Sequence, residues 1–222
     1  MPHDGPDHGD HHHHHEDDAP HRHPQQPDLE DAPFTYHQVM AEALGELLVA
    51  KGVFSADDLR RQIELQDSRR PELGAQLIAR AWTDPAFKLQ LMADVNAAAA
   101  SMDIAAGDIP IRAVENTPEI HNVVVCTLCS CYPRSLIGLP PDWYKSRAYR
   151  SRCVKEPRKV LAEFGTDLPD DVEVRVHDST ADLRYLVLPL RPAGTDGWSA
   201  EQLETLVTRD CMIGVTLPKT PA

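Results

Sequence analysis

Residues 122–131 read Asn-Val-Val-Val-Cys-Thr-Leu-Cys-Ser-Cys, a β-branched run that leads directly into three cysteines within six positions. The valine run predicts a short strand. The thiolate is the form of cysteine that binds metal ions, and three thiolates this close repel one another unless a cation lies among them. We call residues 126–131 the claw loop and interpret it as a metal site that carries out chemistry.

The spacing of the claw loop indicates its geometry. Cys129 and Cys131 flank one small residue, Ser130, so their sulfurs can lie on the same side of a tight turn. The backbone N–H groups of Ser130 and Cys131 then point between the sulfurs, and Cys126 approaches from the preceding turn. Three sulfurs and two amide nitrogens leave a sixth position open, which a catalytic metal needs. Thiolates favour iron, cobalt, copper or zinc over magnesium and calcium.

Three simpler interpretations stay open at this point. The first is a structural zinc site, in which Cys126 and Cys129 form one half and the other half comes from elsewhere. The candidates for that other half form no second paired motif, and they are Cys153, Cys211, His121 and His177. The second interpretation is a Cys-x-x-Cys redox pair. The third is a metal-binding scaffold subunit without turnover.

Composition excludes several classes of protein. The 222 residues carry a net charge of −13 and no basic stripe, which argues against nucleic acid as a partner. No run approaches the roughly 20 apolar residues of a membrane helix, and we see no secretory signal. Five cysteines without disulfide-framework spacing favour a reduced, cytoplasmic setting.

The chain divides by composition into a tail, a helical arm and a mixed domain. Residues 1–33 hold nine acidic residues against one basic residue and five consecutive histidines, His11–His15. Such a segment predicts a disordered tail, although a histidine tract also suits divalent metals. Residues 34–110 predict a helical arm, and residues 111–218 predict an α+β domain that carries the claw loop.

Helical periodicity and capping signals place the individual elements. We predict helices at 36–51, from Ser55, at 73–82, from Asp84 toward Ala100, at 142–149, 157–165 and 199–207. We predict strands at 122–125, 172–176, 183–188 and 212–215.

The segment Val125–Pro133 resembles the metal-claw signature of nitrile hydratase α subunits. The resemblance extends over roughly residues 36–218, and the claw motif is very specific. The flanking segments that carry it are 114–117, 121–124, 138–145, 150–152, 156–158, 191–198 and 208–210. It implies an α+β fold with an extended N-terminal helical arm and layered sheets and helices.

The resemblance also implies an activity and a set of ligands. The activity is hydration of nitriles to amides at a low-spin, non-corrin Co(III), with Fe(III) as the alternative; Thr127 resembles the cobalt class. Cys126 corresponds to the axial thiolate, Cys129 to the cysteine oxidised to sulfinic acid, and Cys131 to the one oxidised to sulfenic acid. The amide nitrogens of Ser130 and Cys131 complete the ligands, so Cys129, Ser130 and Cys131 surround the open position.

Partners and surrounding residues follow from the same resemblance. It implies a β subunit whose two arginines hold the oxidised sulfurs, an (αβ)2 heterotetramer, and a metallochaperone or activator. The candidates for positions around the ligands are Tyr132, Arg134, Asp178 and Asp182. The nucleophile, either hydroxide or the Cys131 sulfenate, and the range of substrates stay open.

A sister family shares the claw signature. It is the γ subunit of thiocyanate hydrolase, which converts thiocyanate to carbonyl sulfide and ammonia. Arg134 stands where many cobalt nitrile hydratases carry tryptophan, and a guanidinium suits an anionic substrate. Cys211 replaces the more usual serine or alanine. We therefore keep thiocyanate hydrolase as the alternative to the nitrile hydratase interpretation.

Overall fold

The computed structural model describes residues 34–220, so the predictions for residues 1–33 lie outside the described residues. The chain forms two compact units, the first ending at Ser55 and the second beginning at Ala56. The described part of the first unit contains helix α1 (Tyr36–Ala50), which begins with a capping box between Thr35 and Gln38. No residue of α1 is buried.

The second unit combines ten helices with four strands among its described residues. The helices are α2 (Ala56–Asp67), α3 (Pro71–Thr83), α4 (Pro85–Ala93), α5 (Val95–Ala100), α6 (Arg134–Ile137), α7 (Asp142–Lys145), α8 (Arg147–Lys155), α9 (Pro157–Glu163), α10 (Ala200–Glu204) and α11 (Arg209–Ile213). The strands are β1 (Ile111–Glu115), β2 (Ile120–Val125), β3 (Glu173–Asp178) and β4 (Arg184–Leu188). The α+β fold class is confirmed. Within the described range, no helix combines the length and the apolar character needed to cross a membrane.

The strands form two parallel pairs. β1 pairs with β4, and β2 pairs with β3 in a register that sets Val125 opposite Asp178. Val123, Val124 and Val125 are buried in the same core cluster as α3 and α11. Because β2 and β3 are parallel, their carboxyl ends lie side by side. The residues that follow Val125 therefore emerge beside Asp178.

Two predicted helices are each divided in the structure. Asp94 ends α4 and also caps α5, where its carboxylate accepts a hydrogen bond from the Ala97 amide at 3.0 Å. Ser146 separates α7 from α8 and caps α8 through a 3.1 Å hydrogen bond from the Tyr149 amide. Aspartate and serine favour caps because their short side chains compete for backbone N–H groups.

The predicted strand at 212–215 is wrong, and β1 was not predicted. Residues 209–213 form α11, capped by the Thr208 hydroxyl, which accepts from the Cys211 amide. A short apolar run does not distinguish a buried strand from a buried helix. Gly214 ends α11 with φ +89°, and a Cβ at this position would overlap the carbonyl of Asn122 in β2. Glycine is therefore required where α11 meets β2.

A buried polar network joins the ends of β1, β2 and α11. The side-chain oxygen Oδ1 of Asn116 accepts from the backbone amide of Asn122 at 2.8 Å and from Nδ2 of the Asn122 side chain at 3.0 Å. The Asn116 amide group therefore faces Nδ1 of His121 at 3.3 Å. His121 then donates from Nε2 to the Gly214 carbonyl at 2.7 Å, and His177 donates to Asn122 Oδ1 at 2.7 Å. Both histidines have structural partners.

This network predicts how stability depends on pH. Burial lowers the pKa of His121 below its ordinary 6.5, so the native chain resists protonation there. Below pH 6.5 the unfolded chain takes up a proton that the native chain does not, and stability falls by up to about 1.4 kcal/mol per pH unit for this one residue. Urea denaturation between pH 7.5 and 5.5 measures the effect. His121→Gln should lower stability at pH 7.5 and flatten this dependence, whereas replacing the exposed His37 should leave it unchanged.

Candidate metal centre

The claw loop brings three sulfurs together at the carboxyl end of β2. Sγ of Cys129 lies 3.5 Å from Sγ of Cys126 and 3.2 Å from Sγ of Cys131. The three sulfurs all lie within 4.8 Å of one another. Cys126 is buried, Cys131 is half-buried and Cys129 is exposed. The loop therefore presents a cluster of soft donors that is open on one side.

Hydrogen bonds concentrate negative charge on Cys129. The thiols of Cys131 and Cys126, followed by the backbone N–H of Ser130 and the N–H of Cys131, lower the pKa of Cys129 to about 7. Burial raises the pKa of Cys131. The Ser130 and Cys131 N–H groups therefore lie near the Cys129 sulfur, and the Cys129 N–H donates to Sγ of Cys126 at 3.3 Å. Three sulfurs grouped in this way suit a thiophilic metal ion.

The other candidate metal ligands lie elsewhere. Cys153 and Cys211 are fully buried as small core residues, and His121 and His177 take part in the polar network described above. Among residues 34–220, the three claw sulfurs form the one group of at least three histidine, cysteine or acidic side chains close enough to hold a metal ion. A structural zinc site with a fourth protein ligand finds no such ligand in this part of the chain.

Asp178 holds the beginning of the claw loop. Its carboxylate accepts from the Thr127 amide at 2.9 Å and from the Thr127 hydroxyl at 2.6 Å. The neighbouring Ser179 amide donates to the Val125 carbonyl at 2.7 Å. Asp182 lies in the turn between β3 and β4, exposed, with its amide donating to the Thr180 hydroxyl. The two acids thus differ, since only Asp178 contacts the claw loop.

Two residues outside the predicted set of site residues also hold the claw loop. Arg150 of α8 donates from Nη1 to the Leu128 carbonyl at 2.9 Å, and Tyr144 of α7 donates to the Cys131 carbonyl at 2.8 Å. Spacing gave no signal for either, because α7 and α8 reach the loop only through tertiary packing. The Tyr132 hydroxyl, in contrast, donates to the Ile137 carbonyl at 3.2 Å and contacts no claw sulfur.

A cavity of about 300 Å³ lies on the side of the claw loop where Tyr132 follows Cys131. Three arginines line it, namely Arg69, Arg134 and Arg184. The charge of Arg184 acts on Cys131 and opposes the rise in the pKa of that thiol. Nη1 of Arg184 is buried and has no hydrogen-bond partner among the described residues. This orphaned donor beside the sulfur cluster fits a site that holds anionic groups.

The tip of the claw loop is exposed to solvent. Leu128 at its tip is 85% exposed, and Thr127 and Cys129 are also exposed. A catalytic metal centre gains from exclusion of water, and the described part of this chain does not provide it.

The fold and the site define a protein that holds a thiophilic metal ion in a loop of three cysteines at the end of a parallel strand pair. The family model for the nitrile hydratase α chain matches residues 35–216. The low-molecular-weight cobalt-containing nitrile hydratase subunit α of Rhodococcus rhodochrous is 50% identical over 184 residues, covering 82% of this chain and 88% of its own. The chain therefore belongs to the nitrile hydratase α-chain family.

Solved structures of two kinds share the fold. A recombinant thiocyanate hydrolase with partially modified cobalt centres matches with a TM-score of 0.79 and 42% identity, over 84% of this chain and 92% of its own. A double mutant of the Fe-type nitrile hydratase from Comamonas testosteroni matches with a TM-score of 0.77 and 43% identity, over 86% and 94%.

The Asp178 contact predicts the effect of one substitution. Asp178→Asn removes the negative charge of the acceptor, so the two charge-assisted hydrogen bonds from Thr127 are replaced by weaker neutral ones. We expect metal retention by the purified complex, measured as metal released to a chelator over time, to fall roughly 10-fold. Asp182→Asn is the matched control, because its carboxylate makes no contact with the claw loop, and it should retain metal like the wild type. Equal losses in the two variants would contradict the assignment of Asp178.

Proposed function

We propose that this chain is the catalytic α subunit of a cobalt nitrile hydratase, active in complex with a β subunit and located in the cytoplasm. The observation that carries the proposal is the cluster of three sulfurs, with the backbone N–H groups of Ser130 and Cys131 near the Cys129 sulfur. This is the arrangement that a claw with an open coordination position needs. Cytoplasmic placement rests on five unpaired cysteines, which persist where thiols stay reduced.

Cobalt is the metal that the relatives favour. The similar subunit of Rhodococcus rhodochrous is named cobalt-containing, and Thr127 stands at the position that resembles the cobalt class. Iron stays the alternative, since an Fe-type enzyme is also similar. We propose Cys126, Cys129, Ser130 and Cys131 as the ligands, with sulfinic acid at Cys129 and sulfenic acid at Cys131. Arg184, with its unpaired Nη1, suits the negative charge that oxidised sulfur carries.

The reaction adds water across a carbon–nitrogen triple bond. A trivalent cobalt ion in the claw would supply a Lewis acid that polarises the nitrile or acidifies a water molecule. The oxygen atom of water ends on carbon and both of its protons end on nitrogen, which gives the amide. The Cys131 sulfenate oxygen is one candidate nucleophile and hydroxide is the other. Arg150, Asp178 and Tyr144 keep the sulfurs in place, because each binds the claw loop from a different element.

A β subunit would complete the site. The claw loop is open to solvent, and α1 exposes a row of large apolar side chains that a partner could bury. These side chains are Tyr36, Val39, Met40, Leu44 and Leu47. We propose that the β subunit supplies two arginines to the oxidised sulfurs, that the complex is an (αβ)2 heterotetramer, and that a metallochaperone or activator loads the metal.

Thiocyanate hydrolysis is the second candidate function. The cavity lined by Arg69, Arg134 and Arg184 suits an anion, and a thiocyanate hydrolase is among the similar structures. In that reaction water adds to the same kind of carbon, and the products are carbonyl sulfide and ammonia. The two functions share the claw and differ in the charge of the substrate.

The deciding experiment uses the complex of this chain with its partner subunit. Metal analysis should find about one cobalt per claw, and the intact mass of the claw peptide should carry two added oxygens on Cys129 and one on Cys131. Parallel assays should show amide formation from an aliphatic nitrile and no release of carbonyl sulfide from thiocyanate. Turnover of thiocyanate alone would favour the second function. A tetrahedral divalent metal with unmodified sulfurs and no turnover would favour a scaffold subunit.

Substitution of the claw cysteines tests the proposed ligands. Cys129→Ser and Cys131→Ser should each abolish amide formation and weaken cobalt retention, because a hydroxyl is a poor ligand for a thiophilic ion and cannot form the oxidised sulfur. Cys211→Ser is the control, since Cys211 lies in the core away from the claw. Full activity of either claw variant would refute the proposed mechanism.

A further inference from the structure

The geometry points to Tyr144 as a positioning residue that fixes the exit of the claw loop and so sets how Cys131 presents its sulfur and its amide nitrogen to the metal. This inference rests on the proposed function, because it concerns the same site. It adds a residue of this chain that nothing in the spacing of the motif indicates.

Tyr144 is held rigidly. It is fully buried in α7, and its ring packs edge-on against Tyr132, with ring centroids 5.1 Å apart. Trp143 and Tyr149 contact the same ring at centroid distances of 6.0 and 5.6 Å. A ring held on three sides directs its hydroxyl to one place, and that hydroxyl donates to the Cys131 carbonyl at 2.8 Å.

Ser179 connects the two ends of the claw loop. Its amide donates to the Val125 carbonyl at 2.7 Å, immediately before the loop begins. Its hydroxyl oxygen accepts from the Tyr185 amide at 3.3 Å, and the same side chain opposes the rise in the pKa of the Tyr144 phenol, so it lies near that hydroxyl. Ser179 therefore binds the backbone just before the claw loop and lies beside the tyrosine that binds the end of the loop.

The hydrogen bond from Tyr144 restrains the end of the claw loop, which has no regular secondary structure. Cys126 follows a strand that is paired with β3, but residues 126–133 belong to no helix or strand. In the proposed site Cys131 supplies both its sulfur and its amide nitrogen from one Cα, so rotation of its backbone would change both donors at once. Fixing its carbonyl prevents that rotation. Tyr144 acts on the metal through Cys131 and does not contact it.

The test compares two tyrosine-to-phenylalanine variants in the complex with the partner subunit. Tyr144→Phe removes the hydroxyl that reaches Cys131. Tyr149→Phe is the matched control, because its hydroxyl is equally buried and donates to the Val124 carbonyl of β2 at 2.7 Å. Both variants lose one buried hydrogen bond, so a purely structural role would affect them alike. The readouts are cobalt release to a chelator, the sulfur-to-cobalt charge-transfer absorption band, and the mass of the claw peptide.

We expect Tyr144→Phe to release cobalt roughly 10- to 100-fold faster, to shift the absorption band and to carry less oxygen on Cys131. Tyr149→Phe should keep the wild-type band and release rate. If Tyr144→Phe fails to fold, Ser179→Ala is the second variant. It keeps the Tyr144 ring and should shift the absorption band in the same direction by a smaller amount. If the wild type, Tyr144→Phe and Ser179→Ala all show the same absorption band, the inference is overturned and the proposed function stays intact. A wild-type complex without cobalt or turnover would refute the proposed function itself, and the inference with it.

Discussion

Parallel pairing of β2 with β3 is the constraint on which the metal centre depends. The register that sets Val125 opposite Asp178 brings the end of β3 to the start of the claw loop. Asp178 and Ser179 are then within hydrogen-bonding distance of Thr127 and Val125 without any further adjustment of the backbone. A shift of one residue in this register would turn the Asp178 side chain to the other face of the strand pair. The chemistry of the loop is therefore linked to a contact between residues about 50 positions apart in the chain.

The claw loop itself has no regular secondary structure, and side chains from other elements hold it in place. Asp178 binds its beginning, Arg150 binds its tip, and Tyr144 binds its end. Each of these contacts satisfies a backbone group that a helix or strand would otherwise satisfy. The arrangement leaves the three sulfurs grouped within 4.8 Å of one another. Rigid elements thus support an irregular loop that carries the three sulfurs.

The sequence predicted what is encoded locally. Asp84 followed by proline, and Ser199 with Gln202, correctly marked the starts of α4 and α10, because a cap depends on residues within one turn. The cysteine spacing correctly indicated that the three sulfurs would lie together. The error at 212–215 has a physical reason, since a buried apolar run suits a strand and a helix alike, and packing against β2 decided for the helix.

What the sequence could not predict depends on tertiary contacts. Asp178 was identified through the family resemblance, whereas Arg150, Tyr144 and Arg184 reach the site only because α7, α8 and β4 pack around it. No periodicity or spacing relates these residues to the cysteines. Pairing of β1 with β4 is likewise a nonlocal choice, and β1 carried too little alternation to be recognised from its five residues.

The exposure of the claw loop makes its thiols vulnerable to oxidation before a metal ion is bound. A thiol with a lowered pKa at a solvent-facing tip reacts readily with peroxides and with any thiophilic ion that it meets. Oxidation beyond the sulfinic state is irreversible. The order of events during biogenesis therefore matters, because a metal ion bound early shields the sulfurs, whereas a delay exposes newly made polypeptide to permanent damage.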